Sequence, residues 1–262
     1  MKRETSPVPC LQPMWIYLSP HFDDAILSCG GLIWQQARAG QRVAIWTVCA
    51  GPIPPGPLTP FAQELHARWG TGLLSVPIRR AEDETACRIV GAKARYFGLP
   101  DCIYRRLPDS GEPVVANNDD LWLPYPPAEA PLVILTRDWL LAGLSGLPDL
   151  LPVRLVAPLA VGGHVDHRLA RAAAESLGRP LWYYADYPYA ARQGFDPRAW
   201  LGRGRRAYAR RISPAALEAW QAGVAAYASQ LSTFWQDSAE MQADLAAYSR
   251  TLPGHTLWRI TV

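Results

Sequence analysis

The sequence has few of the features that mark secreted, membrane-spanning or fibrous chains. Its five cysteines, Cys10, Cys29, Cys49, Cys87 and Cys102, are odd in number, widely spaced and never paired as CxxC, which excludes a disulfide framework and a thiolate zinc site. No apolar run approaches the length of a membrane span. The first residues, MKRETSPVPCLQP, put two basic residues ahead of polar residues and prolines instead of an apolar core, so no signal peptide is legible and a reducing, cytoplasmic location is expected. There is no internal repeat, no low-complexity tract and no sharp linker. Net charge is only +3, too small to mark the whole chain as a polyanion binder. Seven arginines do fall between Arg192 and Arg211. Without heptads or Cys/His spacing they read as a solvated surface stretch, and a nucleic-acid partner is not expected.

What is present suits a globular enzyme: of 262 residues, 49% are hydrophobic and 19% charged, with 11 Trp and 11 Tyr, enough to fill a large core. One domain over residues 1–262 is expected, with residues 1–13 a flexible N-terminal extension. The run Met14-Trp15-Ile16-Tyr17-Leu18 reads as a buried strand that ends in a polar turn, Ser19-Pro20-His21-Phe22-Asp23-Asp24. A helix over residues 25–39 and a second strand over 42–48 complete a right-handed βαβ unit. Prolines crowd residues 51–59, which are expected to leave the C-terminal edge of the second strand as a loop. Helices are expected at 61–69 and 80–90, a strand at 94–97, and a long irregular excursion over 100–131. Regular structure resumes at 132–135, followed by a helix near 137–144. The apolar run 153–157 predicts another parallel strand, which ends in Gly162-Gly163-His164-Val165-Asp166-His167 before a helix to 177. A strand at 181–184 and mostly helical structure over 215–248, broken near Gln236, complete the pattern. The expected architecture is an α/β, Rossmann-like, mostly parallel sheet flanked by helices, with loop insertions over the C-terminal edge of the strands.

Two clusters of His and Asp therefore stand at C-terminal strand ends, where open parallel sheets bind ligands. A strand-end Asp pair often serves only as a helix cap, and a lone His is usually structural. Two such clusters on one sheet edge are better explained by chemistry. Imidazole and carboxylate are zinc ligands, and a catalytic zinc site takes three protein ligands and leaves a position for water. His21 and Asp24 can supply two. His164 and His167, three apart at a helix start, share a face, and spacing alone permits either as the third. Asp23 remains as a carboxylate that could take a proton from water attacking an amide. A protonated imidazole could serve the oxyanion and the departing amine; His164 fits that role, with Asp166 keeping it charged and oriented.

These residues resemble the PIG-L/LmbE-type N-acetylsugar deacetylases, whose first motif is a strand followed by His-x-Asp-Asp, here His21-Phe22-Asp23-Asp24, and whose second is a His-x-Asp-His cluster, here His164-Val165-Asp166-His167. Further similarity lies in Arg79-Arg80-Ala81-Glu82 with Ala86 and Val90-Gly91, in Tyr184-Ala185-Asp186-Tyr187-Pro188-Tyr189, and in Tyr227-Ala228-Ser229-Gln230. The resemblance implies Zn2+ held by His21, Asp24 and His167, with Fe2+ suiting the same ligands. It makes Asp23 the base and His164 the acid or oxyanion partner. The implied substrate is a small-molecule N-acetylated sugar or its conjugate, such as an N-acetylglucosamine derivative. Two departures stand in the first motif, Phe22 for the usual Pro and Ala25 for the usual acidic residue. Arg79 or Arg80 could bind a sugar hydroxyl or phosphate, and Asp101 a sugar hydroxyl. His66 and His255 read as structural, and the tryptophans Trp69, Trp122, Trp139, Trp182, Trp220, Trp235 and Trp258, for which buried core is the default, could include a sugar-stacking platform. Alternatives are a zinc amidase for a larger N-acyl or thiol-conjugate substrate and a non-catalytic sugar-binding protein on the same fold. Homo-oligomerisation is compatible with all three.

Overall fold

The computed structural model describes residues 12–191, 195–201 and 205–260. Most of the expected N-terminal extension, Cys10, and Arg192 and Arg203 of the basic stretch lie outside the described residues. β1 (Met14–Ser19), α1 (Asp24–Arg38) and β2 (Val43–Thr47) form the expected βαβ unit. Then come α2 (Pro60–Trp69), α3 (Ser75–Val90), β3 (Lys93–Tyr96), α4 (Ala130–Ser145), β4 (Val153–Pro158), α5 (Val165–Glu175) and β5 (Leu181–Tyr184). The remaining elements are α6 (Pro197–Leu201), β6 (Arg205–Ala209), α7 (Pro214–Ala225), α8 (Leu231–Phe234), α9 (Ser238–Tyr248) and β7 (Thr256–Ile260).

Among the described residues seven strands make one sheet in the order β3-β2-β1-β4-β5-β7-β6. β1 to β5 run parallel, with Tyr17 between Ile45 and Val156, and β7 pairs antiparallel with both β5 and β6. Because side chains alternate across a strand, β1 divides the core. Trp15 and Tyr17 pack with Ile26, Ala86 and Trp220 on one face, while Ile16 and Leu18 pack with Leu140, Leu155 and Ala173 on the other. The first face is covered by α1, α3 and α7 and the second by α4 and α5. Close packing of α7 on α1 depends on Gly30, where a Cβ would come within 2.4 Å of Cδ1 of Trp220.

The chain leaves β1 toward β2 on one side and returns to β4 on the other, so the strand order reverses between β1 and β4. Such a reversal opens a crevice at the C-terminal ends of the two strands. Both polar turns of the sequence stand there.

Several elements depart from expectation for local reasons. α4 begins at Ala130, merging residues 132–135 with the expected helix, because Pro131 sits in its first turn, where a missing N–H costs no helical bond. α3 begins five residues before Arg80 for the same reason, with Pro77 in its first turn. The helical region 215–248 is broken twice, once before Ser238 as expected and once at residues 226–230, which carry Gln230 to the crevice and the hydroxyl of Tyr227 to the carbonyl of Phe22. β6 and β7 were not apparent from the sequence: each has five residues, and β6 lies inside the basic stretch. Arg206 on this last strand of the sheet is exposed, and a charged side chain is a usual protection of a sheet edge. Among the described residues no helix is long and apolar enough to cross a membrane.

Candidate active site

In the turn after β1, Asp24 is the first residue of α1, and its Oδ2 accepts a hydrogen bond from the backbone N–H of His21 at 2.7 Å. The same oxygen lies 3.1 Å from Nδ1 of His21, and Oδ1 lies 3.3 Å from Nε2 of His167. Asp24 thus touches both imidazoles. Asp23 occupies the N-cap position of α1, yet its side chain makes no capping hydrogen bond, so its carboxylate is not consumed by the helix end.

The turn after β4 is made by Gly162 and Gly163, both with positive φ, 86° and 81°. At Gly162 a Cβ would also meet the ring of Tyr189 at 2.6 Å, so glycine is required there twice over. His164 caps α5, its Nδ1 accepting the backbone N–H of Asp166 at 3.2 Å. The rings of His164 and His167 lie 5.0 Å apart and those of His21 and His164 likewise 5.0 Å. Nitrogens of the three imidazoles all fall within 4.8 Å of one another.

Each of two imidazoles turns its second nitrogen to an outer carboxylate. Nε2 of His21 is 3.0 Å from Oδ2 of Asp166, and Nδ1 of His167 is 2.6 Å from Oδ1 of Asp186. This corrects the expected role of Asp166. Its carboxylate makes its contacts with His21 and Arg105; it lies within 4.8 Å of a ring nitrogen of His164 and bonds that ring only through its backbone N–H. Residues two apart at a helix start point in different directions, which is the physical reason.

Electrostatics follow from burial and this pairing. Burial raises Asp23, and the guanidinium of Arg79 beside it, with Oδ1 3.7 Å from Nη2, opposes that rise without cancelling it. Burial would raise Asp24 too, but His167 and His21 outweigh it and hold it well below the usual carboxylate range. Burial lowers His21, yet Asp101, Asp166 and Asp24 together push it well above the ordinary value. For His167, Asp24 and Asp186 overcome burial and raise it to about 10. Burial and the neighbouring His167 and His21 push His164 well down, so the expectation of a charged His164 is not met: its environment favours the neutral ring. With Nδ1 engaged as an acceptor, the proton of that neutral ring belongs on Nε2.

Of the three expected substrate residues, Arg79 and Asp101 join the site and Arg80 does not. Arg79 is buried, with Nη1 3.6 Å from Asp101 and its guanidinium 4.9 Å from the ring of Trp69. Arg80 donates to the carbonyl of Ala50 at 2.8 Å and covers the ring of Tyr96 at 4.5 Å, a structural task outside the cleft. His66 pairs with the hydroxyl of Tyr104 at 2.6 Å, as its structural reading requires. The cleft over the cluster has a volume of about 340 Å³. His21, Asp23, Asp24, His164 and His167 form its floor, while Trp69, Trp122, Tyr189 and Phe234 contribute aromatic walls. The excursion after β3 thus has a defined place: it supplies Asp101, Asn118 and Trp122, the last with its ring 5.6 Å from that of His164. Asp186 and Tyr189 had no role assigned from the sequence, although Asp186 stands just past the end of β5, the same position relative to its strand as the other polar clusters.

Residues 16–177 match the PIG-L family, described as GlcNAc-PI de-N-acetylase; the chain belongs to this family of deacetylases. Among curated relatives, the 2'-N-acetylparomamine deacetylase of Niallia circulans is 28% identical over 67% of this chain and 67% of its own length. That of Streptomyces fradiae is 31% identical over 68% of this chain and 58% of its own length. Among solved structures, the zinc-inhibited form of teicoplanin deacetylase superposes with a TM-score of 0.79 at 28% identity, covering 94% of this chain and 97% of that one. A deacetylase–teicoplanin complex superposes with a TM-score of 0.76 over the same shares.

Proposed function

We propose that this deacetylase removes the N-acetyl group from an amino sugar, free or carried in a larger conjugate, with a divalent cation held by His21, Asp24 and His167. The observation that carries this reading is the contact of one carboxylate, Asp24, with both imidazoles, each of which turns its other nitrogen to a second carboxylate. That is the outer-partner pattern of metal-ligating histidines. The charge count supports it as well. Six buried carboxylates, Asp23, Asp24, Asp101, Glu129, Asp166 and Asp186, face two buried guanidiniums, Arg79 and Arg105, and it is this excess of negative charge that pushes His21 and His167 up, positive charge that a bound cation would supply in their place. Two imidazoles and a carboxylate suit zinc, and Fe2+ also.

When bound, the cation supplies Lewis acidity toward water and toward an amide carbonyl. Asp23, free of any capping duty and raised by burial, takes the proton of the attacking water and returns it to the departing amine. The Nε2–H of His164 donates to the oxyanion that develops on the acetyl carbonyl, a role that needs no prior protonation of the ring. Arg79, between Asp23 and Asp101, holds both carboxylates in place. Asp101 and Asn118 offer polar contacts to sugar hydroxyls, and Trp122 and Tyr189 offer ring faces to the sugar.

Acetate release tests the activity. Purified protein is offered N-acetylated amino sugars and conjugates, with a matched series of longer N-acyl chains. The reading expects release from acetyl derivatives; preference for the longer acyl groups would favour an amidase for larger acyl substrates, and no release from any member would favour a binding protein.

A further inference from the structure

A buried guanidinium that none of the mechanism uses lies behind the cluster. Arg105, in the long excursion after β3, places Nη2 2.7 Å from Oδ1 of Asp166. The same guanidinium donates through Nε and Nη2 to the two carboxylate oxygens of Glu129, at 2.5 and 2.9 Å, and through Nη1 to the carbonyl of Pro100 at 3.0 Å. Its side chain is 6% exposed, that of Glu129 4% and that of Asp166 0%. Asp166 in turn is held at Oδ2 by the backbone N–H of Cys102 at 3.0 Å and meets Nε2 of His21 at the same distance.

We infer that Arg105 is a positioning residue for the metal site: its charge, set against Oδ1 of Asp166 by the fork it makes with Glu129, holds the Asp166 carboxylate, which holds the ring of His21 with Nδ1 toward Asp24. The inference rests on the reading of His21 as a metal ligand. A planar guanidinium suits this task, because its fork is anchored on Glu129 and on the carbonyl of Pro100 while its charge stands in ion-pair contact with Oδ1 of Asp166, which accepts no hydrogen bond. Asp166 is fully buried, and besides Arg105 it is held by the backbone N–H of Cys102 and by His21, so loss of Arg105 leaves a buried carboxylate whose Oδ1 has lost its counter-charge and whose hold on His21 is weaker. The clamp has a second consequence. Pro100 and Glu129 mark the two ends of the excursion that carries Asp101, Asn118 and Trp122 into the cleft, so the same guanidinium ties the substrate wall to the ligand shell. Outer partners of metal-binding histidines typically change metal affinity roughly 10- to 100-fold when removed, and Arg105 acts one step further out.

The test compares wild type with Arg105→Met, Arg105→Lys and Glu129→Gln, and with Arg137→Gln on the exposed side of α4 as a control. Zinc affinity is measured on stripped protein by competition with a chromophoric chelator, and the visible spectrum is recorded with Co2+ in the site. Arg105→Met is expected to bind zinc about 10-fold or more weaker, with altered Co2+ bands, while Arg105→Lys recovers part of the affinity and Arg137→Gln matches wild type. A folded Arg105→Met, shown by an unchanged far-UV spectrum, with wild-type affinity and bands overturns the inference. Should Arg105→Met fail to fold, Arg105→Lys and Glu129→Gln decide: each loosens the fork, and unchanged affinity and bands in both overturn it. Wild type that binds no metal sinks instead the proposed function on which the inference rests.

Discussion

The carboxylate of Asp186 lies 2.6 Å from Nδ1 of His167 and leaves Nε2 as the nitrogen that faces Asp24 at 3.3 Å. The other carboxylate oxygen of Asp186 accepts the backbone N–H of Val161 at 3.0 Å, so its orientation is fixed by the turn after β4. A carboxylate in this position sets which nitrogen is available to a cation. Asp186→Ala is expected to weaken metal binding roughly 10- to 100-fold, read by chelator competition. Wild-type affinity in the variant would show that His167 does not depend on Asp186.

In the proposed mechanism Asp23 separates catalysis from binding. Asp23→Asn preserves shape and burial but cannot take a proton, and kcat is expected to fall about 100- to 10,000-fold with metal content unchanged. His164→Ala is expected to lose about 100- to 1,000-fold, as when an oxyanion donor is removed. Steady-state kinetics beside metal analysis checks both. Loss of metal from Asp23→Asn would place Asp23 among the ligands instead.

Trp122 makes edge contacts with His164 and with Tyr189 and exposes its ring to the cleft. Trp122→Ala is expected to raise KM about 10-fold, equivalent to ~1.4 kcal/mol, with a much smaller change in kcat, since a stacking surface binds ground state and transition state alike. An equal fall in kcat and kcat/KM would assign Trp122 to the chemistry.

Beneath the first turn, Asp83 is buried between two hydroxyls, with Tyr227 at 2.7 Å and Tyr96 at 2.8 Å. Burial pushes it up to about 7. A protonated Asp83 can donate to the oxygen of Tyr227, whose own proton then reaches the carbonyl of Phe22 at 3.0 Å, and so both contacts of Tyr227 are satisfied. Between the unfolded value near 4 and the folded value, the native chain holds one more proton than the unfolded chain. Stability from this group is therefore complete below about pH 4 and falls as pH rises toward 7, by up to about 1.4 kcal/mol per unit, then levels off. Asp83→Asn removes the slope while keeping a donor and an acceptor. Thermal melts from pH 4 to 8 should show the variant gaining on wild type as pH rises; parallel curves would contradict the assignment.

The two His/Asp clusters proposed to hold the metal and carry the chemistry were legible in the sequence because each follows directly on a buried strand. A short apolar run such as residues 14–18 fixes both the strand and the end at which His21, Asp23 and Asp24 emerge. His167 was separable from His164 only by resemblance, since spacing three apart permits either; in the folded chain the contact with Asp24 falls to His167 and the backbone cap to His164. What stayed illegible depends on long-range pairing. Arg105 meets Asp166 across 61 positions of the sequence, and nothing near either residue announces the other. Asp166 was assigned to His164 by proximity in sequence, and helix geometry sent it to His21. β6 and β7 escaped notice because β6 is rich in arginine and both are short, and antiparallel pairing at a sheet edge leaves a weaker pattern than a strand buried on both faces. Arg80 looked equivalent to Arg79, yet adjacent helix positions point about 100° apart, which puts one in the cleft and the other against Ala50 and Tyr96.

The most direct measurement is metal removal and return. Protein stripped with a chelator and dialysed is assayed for acetate release from an N-acetylated amino sugar while Zn2+, Fe2+ or Co2+ is added back in sub-stoichiometric steps. Activity lost on stripping and restored in proportion to metal, up to one equivalent per chain, is the predicted result, with no restoration in His21→Ala or His167→Ala. Full activity in thoroughly stripped protein, or restoration that ignores both histidines, would contradict it.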